Sequence, residues 1–181
     1  MAKATVWRCR ICGDSYLGSE SPSNCPFCGS RHEYIVATAD FPKGDINDVP
    51  ITDSERVDLQ YAAELEITNK TFYVGLGSKG EHSALLSSAF RALAKVENEH
   101  LSIFGKLLKA KVPNAPSHPI PVDEKWADNI MQSNKDEVIA STFYREAAER
   151  ATTPRVKEVF TALAEVEEDH IAIDDFLMTQ A

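Results

Sequence analysis

From Asp53 to near the C-terminus, apolar residues return every three or four positions, the period of helices that bury one face. Interruptions of this pattern predict four helices at about 53–76, 83–110, 123–151 and 154–178. Thr52 or Asp53 can cap the first, with Glu55 as an acid in its opening turn. The first break is assigned to Gly75, Gly77 and Gly80, and the third to Thr152-Thr153-Pro154, where proline suits a first helical turn. Between the second and third helices, residues 111–121 hold four prolines and cannot be helix interior. Ahead of the helices, residues 39–52 read as a linker, and residues 1–38 as a small domain with short β-like stretches such as Glu33-Tyr34-Ile35-Val36.

Helices two and four are one sequence written twice. Phe90-Arg91-Ala92-Leu93-Ala94-Lys95-Val96-Glu97-Asn98-Glu99-His100 matches the run from Phe160 to His170 at a constant offset of 70. Phe, Ala-Leu-Ala, Val-Glu and His all recur in register, as a duplicated helical hairpin would produce. The inner stripe of helix two runs Phe90, Leu93, Glu97, His100, Phe104, Leu107, and that of helix four runs Phe160, Leu163, Glu167, His170, Asp174, Leu177. The other two helices repeat at an offset of 71, with stripes Leu59, Ala62, Glu66, Asn69, Tyr73 and Ile130, Ser133, Glu137, Ala140, Tyr144. Two tight hairpins joined by one long crossover is the connectivity of a ferritin-like four-helix bundle.

Glutamates in a stripe of Phe and Leu are out of place unless something positive holds them. Glu66 and Glu137, with Glu97-x-x-His100 and Glu167-x-x-His170, form the ligand pattern of di-iron and di-manganese carboxylate bundles. Four ionised glutamates balance two divalent cations, whereas unpaired burial would cost several kcal/mol per charge. Tyr73 and Tyr144 are expected either to pack with satisfied hydroxyls or to hydrogen bond to a ligand glutamate. Glu64, Glu99 and Glu168 are read as solvent-facing, and His32, His82 and His118 as residues without a metal role.

The chain of 181 residues, 43% of them hydrophobic, is long enough for one bundle core and a small appendage. Its net charge of −9 argues against nucleic-acid or anionic-membrane partners. That excess lies after residue 40, since residues 1–40 carry four Lys/Arg and four Asp/Glu. No run approaches the roughly 20 apolar residues of a membrane span, and the start lacks the apolar stretch of a secretory signal, so a cytoplasmic location is expected. All four cysteines fall in two Cys-x-x-Cys-Gly knuckles, Cys9/Cys12 and Cys25/Cys28, which in a reducing compartment predict a tetrathiolate site for iron or zinc. Glycine after each second cysteine permits positive φ, turning backbone N–H groups toward sulphur. Trp7, Tyr16, Phe27 and Tyr34 are expected to supply most of this domain's core.

Taken together, Trp7 to Gly13, Cys25-Pro26-Phe27-Cys28 and the duplicated bundle resemble the rubrerythrin family over nearly the whole chain. The resemblance implies a mainly α fold, with a ferritin-like bundle at 53–181 behind a β rubredoxin-like domain at 1–38. It implies iron at Cys9, Cys12, Cys25 and Cys28, two irons (manganese being the alternative) in the bundle, and electron transfer between the sites. It further implies reduction of hydrogen peroxide to water in oxidative-stress defence, an electron-donor reductase as partner, and a homodimer. Two features depart from the family. The rubredoxin-like module is N-terminal, and the carboxylate that the family adds three residues after the first ligand of the third helix is Ala140 here, with Asn69 as its counterpart on the first helix. Six ligands instead of seven favour a rival reading as an O2-consuming oxidase or ferroxidase. A third reading is an iron-binding protein with a structural zinc in the four-cysteine site. The linker could span about 45 Å, reaching the same bundle or a partner's.

Overall fold

The computed structural model describes residues 3–79 and 83–181. Its N-terminal part is a three-stranded antiparallel sheet in the order β2-β1-β3, from β1 (Thr5–Cys9), β2 (Ser15–Gly18) and β3 (Ile35–Ala37). Trp7 pairs with Tyr16 on one side and Ala37 on the other. The strand expected at 33–36 begins only at Ile35, because Glu33 and Tyr34 belong to a 3-10 turn, His32–Tyr34, that leads out of the second knuckle. Trp7, Tyr16 and Tyr34 are half-buried, but Phe27 is 40% exposed and is not a core residue. Ile11, Ile35 and the four cysteines fill the interior instead, continuous with the apolar core of the bundle.

The segment after the sheet is anchored along its length. Phe41 is buried beneath the Arg8 guanidinium, 3.5 Å from the ring centroid. Buried Asn47 accepts hydrogen bonds from Arg155 Nε (3.0 Å) and Nη2 (2.9 Å). The same guanidinium donates to the carbonyls of Arg10 and Ile11, each at 2.7 Å, so one side chain ties the first knuckle, the connecting segment and the bundle together. The four-cysteine module therefore rests on the helices of its own chain.

Four helices follow: α1 (Asp53–Ser78), α2 (Ala84–Leu108), α3 (Trp126–Arg150) and α4 (Pro154–Met178). They pack as two hairpins, α1 with α2 and α3 with α4, joined by residues 109–125. Gly75 and Gly77 do not end α1, which continues through them to Ser78. They serve close approach instead: a Cβ on Gly77 would meet Arg91 Cγ at 2.5 Å, and one on Gly75 would meet Val122 Cγ2 at 2.7 Å. Gly80 and His82 lie outside the described residues. Among those described, no helix is long and apolar enough to cross a membrane.

Thr52 caps α1 in a reciprocal box with Glu55, whose carboxylate also accepts from the backbone of Thr152 (2.9 Å) and Thr153 (2.7 Å) at the α3–α4 corner. Burial opposes the charged form of Glu55, but the donors of Thr52, Thr153 and Thr152 prevail and hold its carboxyl down to about 2. Its contribution is therefore complete above the ordinary carboxylate value and lost as pH falls from about 4.5 toward 2. Glu55→Ala is expected to cost about 2–4 kcal/mol in urea unfolding at neutral pH, and much less at about pH 3. An equal cost at both pH values would contradict this assignment.

The inner faces build two apolar clusters. One gathers Leu59, Ile103, Phe104, Tyr144 and Phe160 with the cysteine module, and the other gathers Phe72, Tyr73, Phe90, Ile130 and Leu177. The inward-facing glutamates and histidines occupy the polar layer between them.

Candidate metal centres

The two knuckles bring four sulphurs together from a turn of each Cys-x-x-Cys loop. Gly13 (φ 90°) and Gly29 (φ 74°) occupy the left-handed region, as the knuckle geometry requires. Cys9 Sγ lies 3.7 Å from Cys28 Sγ, and Cys12 Sγ lies 3.8 Å from Cys25 Sγ. A tetrahedron with metal–sulphur bonds of about 2.3 Å has edges of about 3.8 Å, so the four thiols fit one tetrahedral ion. The N–H groups of Ile11 and Asp14 donate to Cys9 and Cys12 at 3.3 and 3.4 Å, and the Ser30 hydroxyl sits 3.2 Å from Cys9 Sγ. Without a cation the crowded thiols polarise one another: hydrogen bonding with Cys12 drives the Cys9 thiol down, and hydrogen bonding with Cys25 drives Cys12 up.

In the bundle, α1 supplies Glu66, α2 supplies Glu97 and His100, α3 supplies Glu137, and α4 supplies Glu167 and His170. Three residues make less than one full turn, which puts the Glu and His of α2, and those of α4, on one face. The six side chains form two overlapping groups of four, Glu66-Glu97-His100-Glu167 and Glu97-Glu137-Glu167-His170. Within each group, one potential ligand atom per residue lies within 4.8 Å of all the others. Glu97 and Glu167 belong to both groups, so each is placed to bridge two ions. All six residues are at most 3% exposed.

Their polar atoms are left waiting for a partner. Both oxygens of Glu97 and Glu167, one oxygen each of Glu66 and Glu137, and Nδ1 of both histidines make no hydrogen bond. Buried groups of this kind are normally satisfied, and eight orphaned atoms converging on one volume fit a pair of divalent cations. In the absence of cations the layer strains its own protonation. Burial, reinforced by neighbouring carboxylates, pushes Glu66 and Glu137 well up. Burial also opposes charge on the histidines, yet Glu66 and Glu167 drive His100 well up, and Glu97 and Glu167 do the same to His170. Three oxygen ligands and one imidazole per position suit iron or manganese.

Both tyrosines reach across to the opposite hairpin. Tyr73 Oη donates to Glu137 Oε1, and Tyr144 Oη donates to Glu66 Oε1 at 2.5 Å. Each non-shared glutamate thus has one oxygen that is held by a phenol and lies 3.4 Å from a histidine Nδ1, and one oxygen without a hydrogen bond. Ala140 and Asn69 are buried at the positions where a seventh carboxylate would enter. Glu64, Glu99 and Glu168, expected to face solvent, are all half-buried: Glu64 accepts from the Ser117 backbone N–H, and Glu99 and Glu168 lie 3.6 Å from Lys106 and 3.7 Å from Arg31.

Sequence reasoning missed the contact between the centres. His100 Nε2 lies 2.9 Å from the carbonyl oxygen of Cys28, while Nδ1 of the same ring faces Glu66, Glu97 and Glu167. Lys106 Nζ donates to the Cys12 carbonyl at 3.2 Å on the same side. Both acceptors are backbone atoms, which carry no residue-type signal.

Residues 7–35 match the family described as rubrerythrin, rubredoxin-like domain, and residues 128–180 match the family described as rubrerythrin. Reverse rubrerythrin-1 of Clostridium acetobutylicum is 26% identical over 110 residues, a stretch that makes up 56% of this chain and 61% of that protein. Two solved structures share the fold. KatB, a manganese catalase from Anabaena PCC7120, superposes with a TM-score of 0.63 at 13% identity, over 78% of each chain. A hypothetical protein from Pyrococcus furiosus superposes with a TM-score of 0.58 at 22% identity, over 69% of this chain and 88% of its own. Glu66, Glu97 and His100 fall outside both family matches, so their place in the centre rests on the internal repeat and on the geometry.

Proposed function

We propose that this chain is a rubrerythrin-family di-iron oxidoreductase that reduces hydrogen peroxide to water and is re-reduced through an iron in the four-cysteine site. The observation that carries this reading is His100, whose Nδ1 faces the carboxylate layer while its Nε2 hydrogen bonds to the Cys28 carbonyl. When bound, a pair of irons supplies two adjacent one-electron steps, and a thiolate iron supplies a one-electron relay.

The chain's own groups arrange the rest. Glu97 and Glu167, common to both groups, would be shared by a metal pair, with Glu66 and His100 to hold one position and Glu137 and His170 the other. His100 keeps its Nε2 proton on Cys28 O, leaving Nδ1 free to ligate and joining the two centres by one hydrogen bond. Tyr73 and Tyr144 fix the outer carboxylates, and the apolar clusters on either side keep bulk water away. The rubrerythrin family matches support an oxidoreductase in oxidative-stress defence, and this reading calls for a separate reductase as electron donor.

Ala140 favours a second reading, an O2-reducing oxidase built on a six-ligand site. Stopped-flow mixing of the fully reduced, metal-loaded protein with H2O2 and with O2 separates the two. Peroxide is expected to oxidise it faster, and faster oxidation by O2 would overturn the peroxidase assignment.

A further inference from the structure

The internal repeat provides its own control for the surroundings of the centre, and its two halves differ beside the tyrosines. Beside Tyr144 the duplicated positions are Ala62 and Phe104, both buried and apolar, with the Phe104 and Tyr144 rings 5.7 Å apart. Beside Tyr73 the same positions are Ser133 and Asp174, both buried and polar. Ser133 Oγ donates to Tyr73 Oη at 2.9 Å, and Tyr73 Oη donates to Glu137 Oε1. Both hydrogen bonds point toward the centre. Asp174 is 1% exposed and neither of its oxygens has a hydrogen-bond partner, although the Ser133 hydroxyl lies beside it. It also lines a cavity of about 190 Å³ shared with Ile130, Met131, Asn134, Asp175 and Met178. Met131 and Asp175 are exposed, so this cavity opens to solvent.

We infer that Asp174, Ser133 and Tyr73 form a proton-delivery line from this surface cavity to Glu137. A buried carboxyl without a partner is costly, and the other half of the repeat shows that the fold does without one. Its place in the lining of a solvent-reached cavity, next to two hydroxyls that donate in sequence toward Glu137, fits proton transfer. Burial pushes the Asp174 carboxyl up to about 7, so both of its protonation states are populated near neutrality.

The inference rests on the oxidoreductase reading and completes its balance. Reducing one H2O2 to two H2O breaks the O–O bond and consumes two electrons and two protons. The electrons come singly through the thiolate iron from an external one-electron donor. For each proton, Asp174 passes its hydrogen to Ser133 Oγ, Ser133 passes its own to Tyr73 Oη, and Tyr73 passes its own to Glu137 Oε1. Glu137 releases it to the oxygen being reduced. Water in the cavity then reprotonates the Asp174 carboxylate, and a turn of the carboxyl or one water closes its link to Ser133. Protons thus enter from the Asp174 side, while electrons enter from the His100 side.

Asp174→Asn keeps the shape and removes the transferable proton. With metal content unchanged, oxidation of the reduced protein is expected to slow tenfold or more, with an enlarged solvent deuterium isotope effect. Asp174→Glu is expected to recover most of the rate. An unchanged rate and isotope effect in Asp174→Asn would overturn the inference. A second readout needs neither metal nor turnover. Infrared spectra of the metal-free protein between about pH 6 and pH 8 should contain a protonated-carboxyl band that Asp174→Asn removes and Ser133→Ala shifts. Failure of Asp174→Asn to remove any such band would also overturn it. Should wild-type protein react with O2 and not with peroxide, the peroxidase reading falls, and the relay is judged on the O2 rates, because that reduction needs protons too.

Discussion

Glu97→Ala is expected to strip both metals from the bundle while leaving the four-cysteine site loaded. Glu97 is fully buried, belongs to both groups of candidate ligands, and has both oxygens free of hydrogen bonds. Its removal takes one ligand from each position at once. It also breaks the charge balance, since three carboxylates facing two divalent cations leave a net positive charge in a buried layer, at a cost of several kcal/mol. Glu66→Ala is the matched comparison, because Glu66 belongs to one group only. It should lower occupancy chiefly at the His100 position. Metal analysis of both variants gives the bundle content, and the visible absorption expected of the proposed thiolate iron reports the other site independently. Equal losses in the two variants would contradict the bridging role of Glu97. Loss of the thiolate-iron spectrum in Glu97→Ala would mean that the His100–Cys28 contact makes the two sites one folding unit.

How much of this was legible in the sequence depended on how local each feature is. Glu-x-x-His is visible because three residues nearly close a helical turn, and the repeat supplied the other two glutamates by alignment alone. The cysteine knuckles are equally local. The end of α1 was misplaced because Gly75 and Gly77 resemble breakers, whereas their job is to admit Arg91 and Val122. Such close approach is tertiary and leaves no short-range trace. Docking of the cysteine module was hidden for another reason. Arg155 holds the carbonyls of Arg10 and Ile11, Lys106 holds that of Cys12, and His100 meets that of Cys28. Every residue type has such a carbonyl, so no pattern marks the ones that dock. A linker with a reach of tens of ångströms is therefore pinned by contacts its own composition does not reveal. Asp174 was in plain view on the inner stripe, but periodicity gives only its orientation. Its meaning emerged from the comparison with Phe104, its counterpart in the repeat.

The same docking leads to the other large expected effect. Cys9→Ala should abolish steady-state peroxide turnover and spare a single oxidation of the reduced bundle. Cys9 is one of four buried thiols around a tetrahedral volume, and three sulphurs with a methyl group in place of the fourth leave a coordination position open. A domain this small draws little from its own core, about 3–5 kcal/mol at best, whereas a structural metal contributes on the order of 10 kcal/mol. The module should therefore loosen, and its carbonyls at Cys12 and Cys28 should leave Lys106 and His100. His100 would keep Nδ1 toward the carboxylates but lose the acceptor that fixes its ring. The bundle keeps one apolar cluster that contains no module residue and the helix residues of the other, so it should stay folded and loaded. Chemically reduced Cys9→Ala should then react once with peroxide at a rate near that of the parent protein, and stop. Turnover that survives in Cys9→Ala would mean that electrons reach the bundle by another route. The four-cysteine site would then be a structural one, for which zinc serves as well as iron.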